Sequence, residues 1–179
     1  MAIDPVAFVD KMFRQRGQTK VNGATTLMQH ALQCAWLAER TAAPVTQVAA
    51  ALLHDFGHIV DEAVVEVGQD NCHELRSEPF LLVHFGSAVS EPVRLHVLAK
   101  RYLVATEPGY FERLSAQSRQ TLRYQGGVLS EPDRANFLEL PFAQQALQLR
   151  RWDDSAHLPD ERTPTLDHYL TVLDNLSRG

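Results

Sequence analysis

Cysteine is scarce in this sequence. The 179 residues hold only Cys34 and Cys72. Two thiols make no disulfide framework, so stability must come from a packed core, and reduced thiols in a cytoplasmic setting are expected. Long apolar runs are also missing. None approaches the roughly 20 residues of a membrane-spanning helix, and no membrane partner is expected. Positive charge is not in excess: 17 Lys and Arg face 22 Asp and Glu, for a net charge of −5. A nucleic-acid partner is therefore not expected. The opening MAIDPVAF lacks a charged segment followed by a long apolar one, so no signal peptide is expected. Internal repeats, low-complexity stretches and runs of alternating strand character are absent as well.

What remains is a helical pattern. Hydrophobic residues make up 45% of the chain, enough for a core, and the length suits one domain over residues 1–179. Asp4-Pro5 predicts a cap and first position for a helix over 4–16. Gly17 and Gly23 bracket a polar loop. Leu27, Ala31, Cys34, Ala35 and Ala38 form a helical stripe within 25–42. The segment 44–56 is rich in Ala, Val and Leu and predicts a buried helix, with Gly57 as its C-terminal stop. An acidic, irregular stretch over 61–71 follows. A helix over 71–84 should kink or break at Pro79, which has no backbone donor. Glu91-Pro92 opens a strong helix over 91–104. A Pro-Gly turn at 108–109 precedes a polar helix over 115–124, and Gly126-Gly127 marks a loop. Helices over 131–137, 140–152 and 165–177 complete an all-α domain.

The sharpest local feature is Leu52-Leu53-His54-Asp55-Phe56-Gly57-His58. An imidazole beside a carboxylate at the end of an apolar helix is costly to bury without a partner. A metal ion is one such partner, since neutral imidazole and carboxylate suit iron, manganese or zinc; a capping His-Asp pair at a helix end is the other reading. His30, His73, His96 and Asp153 each lie on or beside an apolar helix. With His54 and Asp55 they make an ordered set, His…His-Asp…His…His…Asp, which a metal cluster would explain economically. Lys100 lies one helical turn after His96, and Arg150 three residues before Asp153, so each shares a face with a candidate ligand. Cys34, Cys72, Trp36 and Trp152 are expected in the core, and His84, His157 and His168 at the surface. Arg151 and Asp154 are expected to be structural.

Four stretches carry a resemblance: Gln29-His30-Ala31-Leu32-Gln33, Ala51 to His58, Glu91 to Leu103, and Leu149-Arg150-Arg151-Trp152-Asp153-Asp154. Over residues 25–157 the chain resembles the HD-domain superfamily, and within it the mixed-valent di-iron oxygenases. Myo-inositol oxygenase is a distant member of that group. The nearer likeness is to the PhnZ-like oxygenases, which cleave the carbon–phosphorus bond of 1-hydroxyphosphonates to give inorganic phosphate and a carboxylic acid. The resemblance implies a compact HD-domain helical bundle and a pair of iron ions, Fe(II)/Fe(III), with dioxygen as co-substrate. It places His30, His54, Asp55 and Asp153 around one iron. Asp55 would bridge to a second iron completed by His73 and His96. His58, Lys100, Ser118, Thr121 and Arg150 fall where the family grips a small organophosphonate, with His58 and the bridging Asp55 in catalytic roles. Cationic donors and hydroxyls are what a phosphonate dianion needs.

The sequence departs from the family at two places. The family has a tyrosine and a glutamate ahead of the first ligand; here Lys20 and Gly23 stand there, and neither can displace from iron or meet an amino group. A substrate with a smaller, neutral or anionic tail is expected. Ser77-Glu78-Pro79 replaces small Gly-Ala residues after the third histidine and should change how that helix sits. Two other functions stay open at this point. A metal-dependent HD phosphohydrolase acting on a nucleotide or other phosphomonoester would use similar ligands. A metal-stabilised binding module would bind metal without turnover.

Overall fold

The computed structural model describes residues 4–23, 25–60, 69–157 and 162–178. The chain is all-α, with eleven α-helices and one small hairpin among the described residues. Helix α1 (Pro5–Arg16) starts as the sequence predicts: the Asp4 carboxylate accepts from the Val6 and Ala7 amides at 3.0 and 3.1 Å. The expected polar loop is instead a hairpin, with β1 (Lys20–Asn22) antiparallel to β2 (Thr25–Thr26) and Lys20 opposite Thr26. Strands this short carry no readable alternation. Thr26 then caps α2 (Leu27–Arg40). Its hydroxyl accepts from the Gln29 amide at 3.2 Å, while the Gln29 side chain accepts from the Thr26 amide at 2.9 Å. This reciprocal pair fixes the first turn of α2, and His30 sits in that turn.

Helix α3 (Val45–Leu53) is nearly all apolar, and Gln47 to Leu53 are all buried. Its end corrects one expectation. Gly57 is not a stop residue; it lies inside a 3-10 turn, Phe56–His58. A Cβ at Gly57 would sit 1.8 Å from the carbonyl oxygen of His73, so glycine is required by close backbone approach. The break at Pro79 is real. Helix α4 (His73–Arg76) ends at Ser77, and α5 (Glu78–Phe85) begins with the proline in its first turn, where a missing amide costs nothing. The acidic stretch over 61–68 lies outside the described residues.

Helix α6 (Ser87–Thr106) is the longest element and corrects a second expectation. Pro92 does not open it but lies within it. The proline deletes the amide that would bond to Ala88, and the helix continues because its sides are packed against α3 and α5. After α7 (Tyr110–Arg113) come α8 (Ala116–Tyr124), capped by the Ser115 hydroxyl, and α9 (Glu131–Glu139), capped by Ser130. Helices α10 (Ala143–Ser155) and α11 (Leu166–Ser177) follow.

Helices α2, α3, α6 and α10 pack on one another and form the centre of the bundle. The main core joins α1, α2, α3, α5 and α11 through Phe13, Leu27, Leu52, Leu53, Phe56, Leu81 and Tyr169. Burying a Leu or Phe side chain of this kind contributes about 1.5–3 kcal/mol. A second cluster, Leu95, Ala99, Leu129, Phe137, Ala143 and Ala146, joins α6, α9 and α10. No helix among the described residues is long and apolar enough to cross a membrane.

Candidate metal centre

Each element of the central bundle delivers a candidate ligand. His30 comes from the first turn of α2, His54 and Asp55 from the exit of α3, His96 from the middle of α6 and Asp153 from the last turn of α10. His73 opens α4. The six residues meet around the two oxygens of Asp55. Toward Asp55 Oδ2 lie His54 Nε2 at 3.5 Å and His30 Nε2 at 4.0 Å. Asp153 Oδ1 is 3.1 Å from His30 Nε2 and 3.7 Å from His54 Nε2. Toward Asp55 Oδ1 lie His73 Nε2 at 3.3 Å, His96 Nε2 at 4.0 Å and His58 Nε2 at 3.9 Å.

The donor chemistry suits metal ions. The Nδ1 atoms of His30, His54 and His96 rest on the carbonyls of Ala156, Ala51 and Val93 at 2.9, 2.8 and 2.6 Å. A carbonyl only accepts, so each Nδ1 carries a proton, and each ring in its neutral form turns a lone pair inward at Nε2. Yet His30 Nε2 is 3.2 Å from His54 Nε2, and His73 Nε2 is 3.2 Å from His96 Nε2. Lone pairs facing at that distance repel unless a cation joins them. Two nitrogens about 3 Å apart are what adjacent ligands about 2.1 Å from one ion require. Both pairs therefore fit a metal, with Asp55 shared between them.

Charge at the site follows from burial and proximity. Burial alone would raise the carboxyls of Asp55 and Asp153. The flanking imidazoles of His54, His73 and His58 outweigh it at Asp55, and the Arg150 guanidinium, followed by His54 and His30, outweighs it at Asp153, so both are held well below the usual range. Burial works to lower His30, but the Asp153 carboxylate overcomes it and pushes the imidazole up to about 9. Without metal, a proton at His30 Nε2 stands where a cation would sit. His96 is held well below its usual value by burial, reinforced by His73 and His54. Burial, with His73, brings His58 down to about 4.

Beside the six lies a cavity of about 500 Å³, lined by His58, Lys100, Ser118, Thr121 and Arg150 among others. Lys100 is buried, and its ammonium donates to Thr121 Oγ1 at 3.0 Å and to Gln125 Oε1. Both partners are neutral, and no carboxylate pairs with Lys100 among the described residues. Burial and the nearby Arg150 lower Lys100 to about 8. Arg150 is committed differently. It holds Asp153 at 2.7 Å, grips Asp154 through Nε and Nη2, and donates to Ser118 Oγ at 3.3 Å. Asp154 also accepts from Tyr110. Arg151 pairs with Glu107 at 2.8 Å, away from this network. Lys20 lines the cavity, while Gly23 sits on the exposed hairpin turn with a positive φ of 60° and nothing near its Cβ position.

Three residues of the site lay outside the sequence reading. His157 was expected at the surface; it stacks on His30 with centroids 5.2 Å apart and lines the cavity. Its place four residues after Asp153 is the one signal that could have found it. Gln125 continues the face of Ser118 and Thr121 by one helical turn. Asn71, which contacts both His58 and His73, lies in a loop with no periodicity to reveal it.

Comparison with known proteins agrees with this picture. No protein-family model matches the chain. A hydroxymethylphosphonate dioxygenase of Gimesia maris is 38% identical over 169 residues, covering 92% of this chain and 84% of its own length. A glycine-betaine-forming [1-hydroxy-2-(trimethylamino)ethyl]phosphonate dioxygenase of Leisingera caerulea is 34% identical over 175 residues, covering 96% and 89%. The chain belongs to the hydroxyphosphonate dioxygenase family. Membership implies use of metal and dioxygen, and the clustered His and Asp side chains supply groups that could hold a metal ion. In this hydroxyphosphonate dioxygenase Lys20 stands on the cavity wall with Lys100 and Arg150.

Proposed function

We propose that this chain cleaves the carbon–phosphorus bond of a small 1-hydroxyphosphonate with dioxygen, hydroxymethylphosphonate being the favoured substrate. The observation that carries the reading is Asp55, with one oxygen toward His30 and His54, which Asp153 also meets, and the other toward His73 and His96, next to a cavity where the Lys100 ammonium has no carboxylate partner among the described residues. His30, His54, Asp55 and Asp153 would hold one iron, and Asp55, His73 and His96 the other. A mixed-valent Fe(II)/Fe(III) pair would supply the electron-accepting and oxygen-activating chemistry that side chains lack.

The chain's own residues bind and orient. Lys100, steadied by Thr121 and Gln125, offers a charge to the phosphonate that no side chain already neutralises. Ser118 and Thr121 add hydroxyls on the same wall. Arg150 fixes Asp153 and donates to Ser118 Oγ, so its guanidinium adds positive charge to the same wall. His58 contributes a ring nitrogen at the Asp55 Oδ1 side. Lys20 disfavours a quaternary ammonium tail, the group named in the Leisingera relative's substrate, and tolerates the tail-less substrate named for the Gimesia relative. The reaction balances without a reductant: hydroxymethylphosphonate and dioxygen become formate and phosphate, and the substrate supplies all the electrons.

The test is phosphate release from hydroxymethylphosphonate by iron-loaded protein with an oxygen electrode in the same vessel. Phosphate and dioxygen consumption should be equal. Absence of phosphate with every 1-hydroxyphosphonate tried would overturn the reading. Equal phosphate release without oxygen would replace it with a metal-dependent phosphohydrolase.

A further inference from the structure

Three of the inward-facing imidazoles rest their far nitrogen on a main-chain carbonyl, but His73 does not. Its Nδ1 lies 3.0 Å from Oδ1 of Asn71, and Nδ2 of the same amide lies 2.9 Å from Nδ1 of His58. A third contact fixes which end of the amide is which. The main-chain N–H of His73 points at Asn71 Oδ1 at 3.3 Å. A main-chain N–H can only donate, so that end is the oxygen and the other is the NH2. The NH2 can only donate in its turn. His58 Nδ1 therefore accepts, and the proton of its neutral ring sits on Nε2. His73 Nδ1 donates, and its lone pair sits on Nε2. The two rings stack with centroids 4.2 Å apart and planes 13° from parallel, so these opposite nitrogens lie side by side on the site.

We propose that Asn71 is a positioning residue that sets His58 and His73 in opposite tautomers, so that His73 presents a lone pair to metal and His58 presents an N–H to the substrate. His58 is thus not a ligand, although it lies with Asp55 and His73 in a group whose geometry could accept an ion. Its Nε2–H suits a phosphonate oxygen or the oxygen of the 1-hydroxyl. Glu74 does not displace Asn71: its Oε2 stands 3.5 Å from His73 Nδ1 and accepts no hydrogen bond. The tautomers follow from the hydrogen bonds alone; the uses given to them rest on the functional reading above.

The experiment is histidine-ring nitrogen NMR on the full chain loaded with zinc as a diamagnetic probe, with His58 signals assigned from His58→Gln. His58 should give the Nε2–H pattern and His73 the Nδ1–H pattern. An Nδ1–H pattern for His58 overturns the proposal. Asn71→Asp keeps the oxygen for His73 but has no NH2, so His58 should switch to Nδ1–H while metal content is unchanged. In the iron enzyme, KM for hydroxymethylphosphonate should then rise about tenfold or more, as expected for losing a hydrogen bond to a charged group. An unchanged His58 pattern in this variant also overturns the proposal. Asn71→Ala should weaken metal at the His73 side about 10–100-fold. Correct tautomers with no turnover on any phosphonate would remove the functional reading and leave this inference standing.

Discussion

Gly57→Ala should separate the two halves of the metal centre. The added Cβ would stand 1.8 Å from the His73 carbonyl oxygen, 2.6 Å from its carbonyl carbon and 3.1 Å from its Cα. All three atoms are main chain, so no side-chain rotation relieves the clash. Ordinary contact requires separation by more than an ångström beyond the present distance, whereas ligand positions tolerate only about 0.2 Å. His73 opens α4 directly, so the shift reaches its imidazole. His30, His54 and Asp153 are carried by α2, α3 and α10, and their backbone is not among the nearest atoms to the new methyl. Overpacking of this kind costs about 1–3 kcal/mol. For a chain of this size each kcal/mol lowers Tm by about 2–4 °C, so a drop of roughly 2–12 °C is expected by differential scanning fluorimetry. Metal titration followed by elemental analysis should show the His73 side emptied or much weakened while the other side still fills. A Gly57→Ala protein that fills both sides with unchanged affinity would refute the reasoning.

Lys100→Met should fold about as well as the parent, because a buried ammonium no longer has to be stripped of water. Its kcat/KM for hydroxymethylphosphonate should fall about 10–150-fold, the equivalent of a hydrogen bond to a charged group at about 1.5–3 kcal/mol. The parent enzyme's kcat/KM should decline as pH rises through about 8, where Lys100 loses its charge. Stability should move the other way over the same range. Lys100 is lowered from 10.5 to about 8 in the folded chain, so between those values the unfolded chain binds more protons and Lys100's contribution to unfolding free energy rises with pH. Chelation should lower Tm by about 5–10 °C if metal was present at about 100 times its Kd, a linkage worth about 2.7 kcal/mol, and restoring metal should recover it.

Features set by local chemistry were legible in the sequence. Asp4-Pro5 announced α1, and Pro79 announced the break between α4 and α5, because caps and missing amides act within one turn. Pro92 misled for the complementary reason. A proline is a sound start signal only when nothing upstream is helical, and here Gly86 with φ of 78° lets the chain turn from α5 directly into α6. Gly57 resembled a helix stop because its true cause, the His73 backbone, is distant in sequence. The six candidate ligands stood out as polar groups on apolar helices. Asn71, Gln125 and His157 did not, since their roles exist only once the loop before α4, the end of α8 and the end of α10 converge.

Electron paramagnetic resonance on iron-reconstituted protein, partly reduced and then exposed to air, tests the proposed bridging by Asp55 most directly. A coupled Fe(II)/Fe(III) signal that Asp55→Asn abolishes is the result expected. An isolated mononuclear ferric signal, or a coupled signal that survives Asp55→Asn, would contradict it.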